Sequence, residues 1–322
     1  MTKPYKKVKI EDLEIYTHNL TKVYAKGQKA IKAVDNINLR IEPGIHGFLG
    51  PNGAGKTTTI NMLIGAISIS KGVAKIRGYD IGSIEAQRLI GFLPQEPAYY
   101  ENMTGSQYLL FVAQLNGLRR KEATKKVNDL IKLMDLTEAK QKKLGKYSGG
   151  MKQKIGIASA LIHDPKILIL DEPTANLDPI GRAELIKTIK KLSEKTSIFI
   201  SSHILSEIEQ MCERVTMINN GKIVLSDTIK KIKEIHKHSI NIFVLNTNSN
   251  NKILQLLKRL DYIVKVWISE EDGKIYIIPD DIEAFQMIIP KFLAENNLML
   301  KDFFLKESTL QDIFIEVMEG EE

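Results

Sequence analysis

The feature that most constrains this 322-residue chain is an eight-residue run, Gly50-Pro51-Asn52-Gly53-Ala54-Gly55-Lys56-Thr57, placed directly after the apolar segment Ile45-His46-Gly47-Phe48-Leu49. The run satisfies G-x4-G-K-[ST], a loop in which backbone N–H groups turn inward around phosphate oxygens through angles that a Cβ would block. The context predicts a buried strand, the loop, and a helix over about Thr57–Ile67 whose positive dipole end faces the anion. Lys56 is placed to reach the β- and γ-phosphates and the Thr57 hydroxyl to ligand Mg²⁺, with Thr58 beside it. A strand–loop–helix of this kind commits the chain to an α/β sheet with ligands at its carboxyl edge.

A second part of the same site is legible downstream. Ile167-Leu168-Ile169-Leu170 reads as a central strand and ends in Asp171-Glu172. At that edge Asp171 suits an outer contact to Mg²⁺, and Glu172 suits a general base for an attacking water. Upstream, Tyr147-Ser148-Gly149-Gly150-Met151 leads into the helix Lys152–Leu161, another glycine-marked helix start able to grip an anion. Since the first loop already fills one phosphate site, a second grip makes sense if it serves another subunit.

Alternating strands and helices between these motifs predict a mostly parallel sheet with a helical insertion at about 96–160. Short apolar runs at Glu14–Leu20 and Ile31–Ile41 read as strands ahead of the loop. Val127, Leu130, Ile131 and Met134 form one apolar stripe at helical spacing, with lysines around it. Helix 181–194 and strand Ser197–Ser201 follow. Beyond a lysine-rich connector at 230–233 the order is strand (Ile240–Leu245), helix (Lys252–Leu260), strand (Ile263–Ile268), an acidic turn at 270–273, strand (Lys274–Ile278), helix (Ile282–Asn296), strand (Met299–Leu305) and a last helix at about 309–318. That βαββαβ order is the ferredoxin-like arrangement. Two domains are expected, 1–227 and 228–322.

Taken in chain order, the loop 50–57, Gln95, Ser148-Gly149-Gly150, Asp171-Glu172, Ala175-Asn176-Leu177-Asp178 and His203 resemble the motifs of the ATP-binding subunits of ABC transporters, over about residues 14–227. The fold this implies is a P-loop NTPase core with a mainly parallel sheet, N-terminal antiparallel strands and the helical insertion, plus a small C-terminal α+β domain. The resemblance implies an ATPase working as a head-to-tail dimer with two ATPs between subunits. Gly50, Pro51, Asn52, Gly53, Ala54, Gly55, Lys56, Thr57 and Thr58 would then hold ATP from one side. Ser148, Gly149 and Gly150 would hold the γ-phosphate bound at the partner's loop, and Asp178 would reach across the interface. Gln95 would contact Mg²⁺ or the water, His203 would hold the water with Glu172, and Tyr24 would stack on adenine.

Two positions depart from the family pattern. Tyr147 and Met151 stand where Leu and Gln are usual, and Met151 lacks amide donors for a partner's ribose. The Y-S-G-G-M form resembles the branch of drug-, antibiotic- and lipid-exporting ATPases whose permease is a separate chain, as does Glu307-Ser308-Thr309-Leu310-Gln311-Asp312-Ile313-Phe314, where Ser308 or Thr309 would cap the last helix. Asn176 replaces Gly in the Asp178 loop, a milder change because Asn tolerates left-handed backbone. The expected partners are a second ATP-binding subunit and an integral membrane permease, at the cytoplasmic face of the membrane. Pro94-Gln95-Glu96-Pro97-Ala98-Tyr99-Tyr100 is a candidate lining for the permease groove.

Composition excludes other classes. No run approaches the roughly 18 apolar residues of a membrane-spanning helix, and Met1-Thr2-Lys3-Pro4-Tyr5-Lys6-Lys7 has no apolar stretch behind it, so no secretory signal is expected. The one cysteine, Cys212, forms neither an internal disulfide nor a cysteine metal cage. The chain carries +7, yet residues 228–322 hold 12 basic and 16 acidic side chains. That negative balance, and the absence of obvious aromatic pairs beside Lys or Arg, argue against RNA binding by the C-terminal domain. The cluster Arg119, Arg120, Lys121, Lys125 and Lys126 reads as a solvated helix face. A soluble ATPase of the same superfamily acting on ribosomes or DNA is the alternative, disfavoured by one signature and no sustained heptads. Intact Lys56, Glu172 and His203 argue against a non-hydrolysing binder.

Overall fold

The computed structural model describes residues 9–25, 30–236, 242–260, 262–269, 272–306 and 310–319. Contacts divide the chain into two compact units, Met1–Ile229 and Lys230–Glu322.

The first unit begins with β1 (Ile15–Tyr24), β2 (Ile31–Ile37), β3 (Arg40–Ile41), β4 (Ile45–Leu49), α1 (Lys56–Leu63), β5 (Lys71–Ile76), β6 (Tyr79–Asp80), α2 (Ile84–Leu89) and β7 (Ile90–Leu93). It continues with α3 (Gly105–Leu115), α4 (Arg120–Leu133), α5 (Gly149–Ala160), β8 (Ile167–Asp171), α6 (Pro179–Ser193), β9 (Ser197–Ser202), α7 (Leu205–Met211), β10 (Arg214–Asn219) and β11 (Lys222–Thr228). An antiparallel sheet, β2-β1-β5-β6 with β3 on β1, packs near a second sheet ordered β11-β10-β4-β9-β8-β7. In the latter every pair is parallel except β10–β11. One core joins them, with Ile15, Leu20 and Val34 from the first sheet, Phe48, Ile167, Ile169 and Phe199 from the second, and Ile60 of α1. All five residues of β8 are buried, as a strand covered on both faces requires.

The boundaries differ from the sequence expectation for local reasons. The helix after the loop stops at Leu63 because Gly65 takes φ +75°, the left-handed turn that ends helices. The run 31–41 is broken at 38–39 into two strands, next to Asn36 at φ +51°. The stripe of Val127, Leu130, Ile131 and Met134 is buried, while Arg119, Arg120, Lys121 and Lys125 are solvated. Helix α3 opens on a full capping box between Thr104 and Gln107.

The connector is the helix α8 (Ile229–His236), which spans the boundary. The second unit then runs β12 (Ile242–Thr247), α9 (Asn250–Leu257), β13 (Ile263–Ile268), β14 (Ile275–Pro279), α10 (Ile282–Glu295), β15 (Leu300–Lys306) and α11 (Leu310–Glu319). Its sheet is ordered β13-β14-β12-β15 with all neighbours antiparallel, the split βαβ topology. Phe243, Leu245, Ile275 and Ile277 pack against Ile253, Leu257, Phe285, Ile289 and Leu293 of the helices. The start of the first predicted strand at 240–241, residues 270–271 of the acidic turn, and the Ser308/Thr309 cap lie outside the described residues.

One sequence expectation is corrected here. Register aligns Trp267, Tyr276, Val244 and Phe304 in a cross-strand row, with Lys265, Lys274 and Lys306 over Trp267, Phe304 and Tyr276. The sheet does therefore carry aromatics beside lysines. Lys274 and Lys306 are paired with Asp302 and Asp312, at 3.1 and 3.2 Å.

Candidate functional site

Four parallel strands end at one edge of the second sheet, and each delivers part of the site. β4 runs into the glycine loop, where Gly53 and Gly55 adopt φ +82° and +107°. A Cβ on Gly55 would sit 2.5 Å from the Ala33 carbonyl oxygen, so the loop needs glycine there for space as well as angle. Lys56 is buried; its Nζ donates to the carbonyls of Gly50 (2.8 Å) and Pro51 (3.2 Å) and stands 3.1 Å from Glu172 Oε1.

β8 ends in Asp171 and Glu172, both buried. Asp171 accepts a hydrogen bond from Ser201 Oγ at 2.5 Å and is also bonded by the Thr57 side chain. Burial raises its carboxyl above the usual range, against the lowering effect of those hydroxyls. Glu172 adopts φ +46°, a strained angle for a residue with a Cβ. Its N–H donates to Ser201 Oγ at 2.9 Å, which fixes the turn. Ser201 thus holds both acids at once, one by donating and one by accepting. Its importance escaped sequence reasoning, because nothing in Ser201-Ser202-His203 tells which serine faces β8.

β9 ends just before His203, whose Nδ1 lies 2.9 Å from Glu172 Oε2. The Glu172 carboxylate is therefore shared, Oε1 with Lys56 and Oε2 with His203. β7 ends just before Gln95, which is exposed. Lys56, Thr57, Thr58, Asn52, Gly53, Gly55, Gln95, Glu172 and His203 line one cleft of about 530 Å³. Arg182, which sequence reasoning missed, lines it too.

Ser148, Gly149, Gly150 and Asp178 do not join that cleft. With Met151 they line a separate one of about 430 Å³, and Asn176 borders both. Ser148 caps α5 by accepting from the Met151 N–H (3.3 Å), and Asp178 caps α6 by accepting from Gly181 N–H (2.9 Å). Asn176 adopts φ +61°, an angle Asn tolerates. Tyr147 is buried, donates to the Ala139 carbonyl at 2.9 Å and fills the space over Gly105, so it anchors the loop to the helical insertion. Tyr24 stands half exposed at the end of β1 under Lys22, outside the lining of either cleft.

The groove expectation for 94–100 is corrected in part. Tyr99 is packed, its hydroxyl donating to the Lys152 carbonyl at 2.6 Å and its ring edge-on to Tyr108. Only Tyr100 of the pair is exposed, edge-on to Phe111.

Comparison with known proteins gives a consistent result. Residues 34–175 match the family profile described as ABC transporter. The chain is 35% identical to a bacitracin transport ATP-binding protein of Bacillus licheniformis, over 95% of this chain and 97% of that protein. It is 32% identical to a linearmycin resistance ATP-binding protein of Bacillus subtilis, over 94% and 97% respectively. Among solved structures it superposes on a subunit of an ABC transporter complex from Clostridium perfringens with a TM-score of 0.63 at 27% identity, covering 70% of this chain and 95% of that one. A dimeric ATP-binding cassette bound to ADP and phosphate shares the fold, with a TM-score of 0.60 at 24% identity, covering 67% and 98%.

Proposed function

We propose, from the premise that this chain belongs to the family of ABC transporter ATP-binding subunits, that it drives export through a separately encoded membrane permease as one half of a homodimer. As a member of that family it is an ATPase. The observation that carries the dimer is the split site: two glycine-marked helix starts, at 50–57 and 148–150, open into different clefts of one protomer. A grip on phosphate that does not face the protomer's own nucleotide loop is useful only to a second copy.

In this reading the residues act as follows. Gly50 to Thr58 cradle the phosphates, and Lys56 exchanges its two carbonyls and Glu172 for phosphate oxygens. Glu172 accepts a proton from the attacking water, and the bond from the γ-phosphorus to the β-phosphate oxygen breaks to give ADP and phosphate. His203 holds Glu172 and the water in line. Ser148, Gly149, Gly150 and Asp178 close on the partner's nucleotide, and Tyr24 stacks on the base. The donor set fits Mg²⁺: Asp171 is a buried carboxylate, bonded by the hydroxyls of Ser201 and Thr57 and beside Lys56 and Glu172, so a hard cation would relieve it. Thr57, Asp171 and Gln95 would hold that ion, which supplies charge neutralisation on the phosphates.

Cargo of the kind handled by bacitracin or linearmycin systems is the reading we favour, with this chain at the cytoplasmic face of the membrane. The test is recovery of tagged Glu172→Gln protein from detergent-solubilised native membranes with ATP. A stoichiometric multi-span membrane protein is expected; ribosomes or DNA without one would overturn the transporter reading.

A further inference from the structure

Behind the cleft lies a buried polar cluster that the scheme above does not use. Glu207, on the first turn of α7 and four residues after His203, is 2% exposed. Its Oε2 accepts from the Thr174 hydroxyl at 2.5 Å, and its Oε1 stands 2.9 Å from Arg182 Nε. Thr174 is buried two residues beyond Glu172. Arg182 lies on the first turns of α6, which Asp178 caps, and its Nη2 donates to the Leu177 carbonyl at 3.5 Å. One buried carboxylate thus ties together the segment after the base, the segment before Asp178, and the helix that follows His203.

The cluster is not fully engaged. Arg182 Nε and Glu207 Oε1 are close, yet the N–H is out of line, and both atoms lack an aligned hydrogen bond. Glu207 is buried and the Arg182 side chain is 35% exposed, so a small movement that aligns this ion pair gains a charge-assisted hydrogen bond. The elements that could supply it are the two Arg182 touches, the 176–178 loop and α6, and these carry Asp178. Arg182 also lines the cleft with Glu172 and His203.

We propose that Arg182, Glu207 and Thr174 are positioning residues that couple the Asp178 loop to the Glu172–His203 pair, so that docking of a second subunit on Asp178 aligns the base. This rests on the ATPase-dimer reading above. In the unaligned state the aligned side-chain hydrogen bond of Glu207, among the described residues, is the one from Thr174. When contact across the interface shifts the Asp178 end of α6, Arg182 lines up with Glu207, and the shared carboxylate transmits the shift to α7 and to His203 at its start. The cluster is thereby a link between partner contact and chemistry, distinct from the phosphate grip itself.

The test measures ATP turnover, nucleotide binding and thermal unfolding for the full chain and for Arg182→Met, Arg182→Lys, Glu207→Gln, Asp178→Ala and the Asp178→Ala/Arg182→Met double variant. Arg182→Met and Glu207→Gln are expected to lower kcat about tenfold with little change in nucleotide affinity, and Arg182→Lys to recover part of the loss. The double variant is expected to turn over no more slowly than the worse of its two single variants, because both changes cut one link. Losses that multiply in the double variant would overturn the coupling. So would an equal loss of nucleotide binding, or turnover unaffected in both Arg182→Met and Glu207→Gln. Glu207→Gln keeps shape and the Thr174 contact, so it reads the coupling even if Arg182→Met unfolds. Failure of the unaltered chain to hydrolyse ATP would remove the ATPase reading and this proposal together; hydrolysis with insensitive variants removes this proposal alone.

Discussion

The strand that feeds the nucleotide loop holds a histidine that should set the acid limit of the first unit. His46 is 4% exposed on β4, flanked by β9 and β10. Its Nε2 lies 2.8 Å from Thr216 Oγ1, its ring stacks on Phe199, and Nδ1 has no partner among the described residues. Burial, with Arg214 paired opposite on β10, lowers the imidazole to about 3 from 6.5. An unfolded chain takes up this proton below 6.5, whereas the folded one refuses it until about 3. Stability is therefore full above 6.5 and falls as pH drops toward 3, by about 1.4 kcal/mol per unit. At about pH 5 the accumulated loss is roughly 2 kcal/mol. His46→Leu removes the titration, so the stability difference between the parent and His46→Leu should change by that amount between about pH 7.5 and pH 5. Amide exchange in β4 and β9 is the suitable assay, because the single tryptophan, Trp267, lies in the second unit and would miss it. Parallel pH profiles for the two proteins would refute the argument.

Other outcomes are equally checkable. Glu172→Gln should cut turnover at least a hundredfold while an ATP-bound dimer accumulates, visible by light scattering; unchanged hydrolysis would sink the base assignment. Asp171→Asn should raise the melting temperature of nucleotide-free protein, by about 2–4 °C per kcal/mol relieved, while abolishing hydrolysis. Because burial raises the Asp171 carboxyl, the folded state holds its proton more tightly than the unfolded one, and this group's contribution to stability falls as pH rises past its ordinary range. Asp171→Asn should remove that dependence, and a melting temperature that falls instead would contradict it. Tyr99→Ala should cost about 2 kcal/mol or more, through lost packing and the orphaned Lys152 carbonyl. Tyr100→Ala should leave unfolding nearly unchanged and weaken permease-coupled turnover; intact coupling would end its groove role.

What the sequence made legible was local motifs and the order of elements, though not each boundary, as Gly65 and the break at 38–39 show. A glycine loop after an apolar strand, two acids after four apolar residues and the βαββαβ order each state a structure within a short window. What it hid depends on which strands lie side by side. Trp267, Tyr276 and Phe304 sit on three different strands, so alternation along each gives its face but not their common row. Ser201 matters because β9 pairs with β8 in a register that sets Ser201 opposite Asp171. Arg182 and Glu207 look like ordinary surface charges on two helices until α6 and α7 are packed. Tyr99 and Tyr100 are adjacent and alike in sequence, yet the lack of a Cβ at Gly156 opens space for only one ring.

The ion pair between Lys56 and Glu172 gives the site its logic. Glu172 Oε1 is occupied by the buried Lys56 ammonium 3.1 Å away. Phosphate oxygens offer Lys56 a better set of partners than two carbonyls and one carboxylate, so in the proposed function nucleotide binding would free Glu172 from it. Once freed, the Glu172 carboxylate would keep His203 as its side-chain partner among the described residues, and His203 stands two residues before the helix that carries Glu207. In the proposed scheme nucleotide arrival and partner docking would therefore act on opposite oxygens of one carboxylate, Oε1 through Lys56 and Oε2 through His203. If Glu172 is the base we propose, hydrolysis would require both conditions to be met, and a variant that satisfies only one should stay slow.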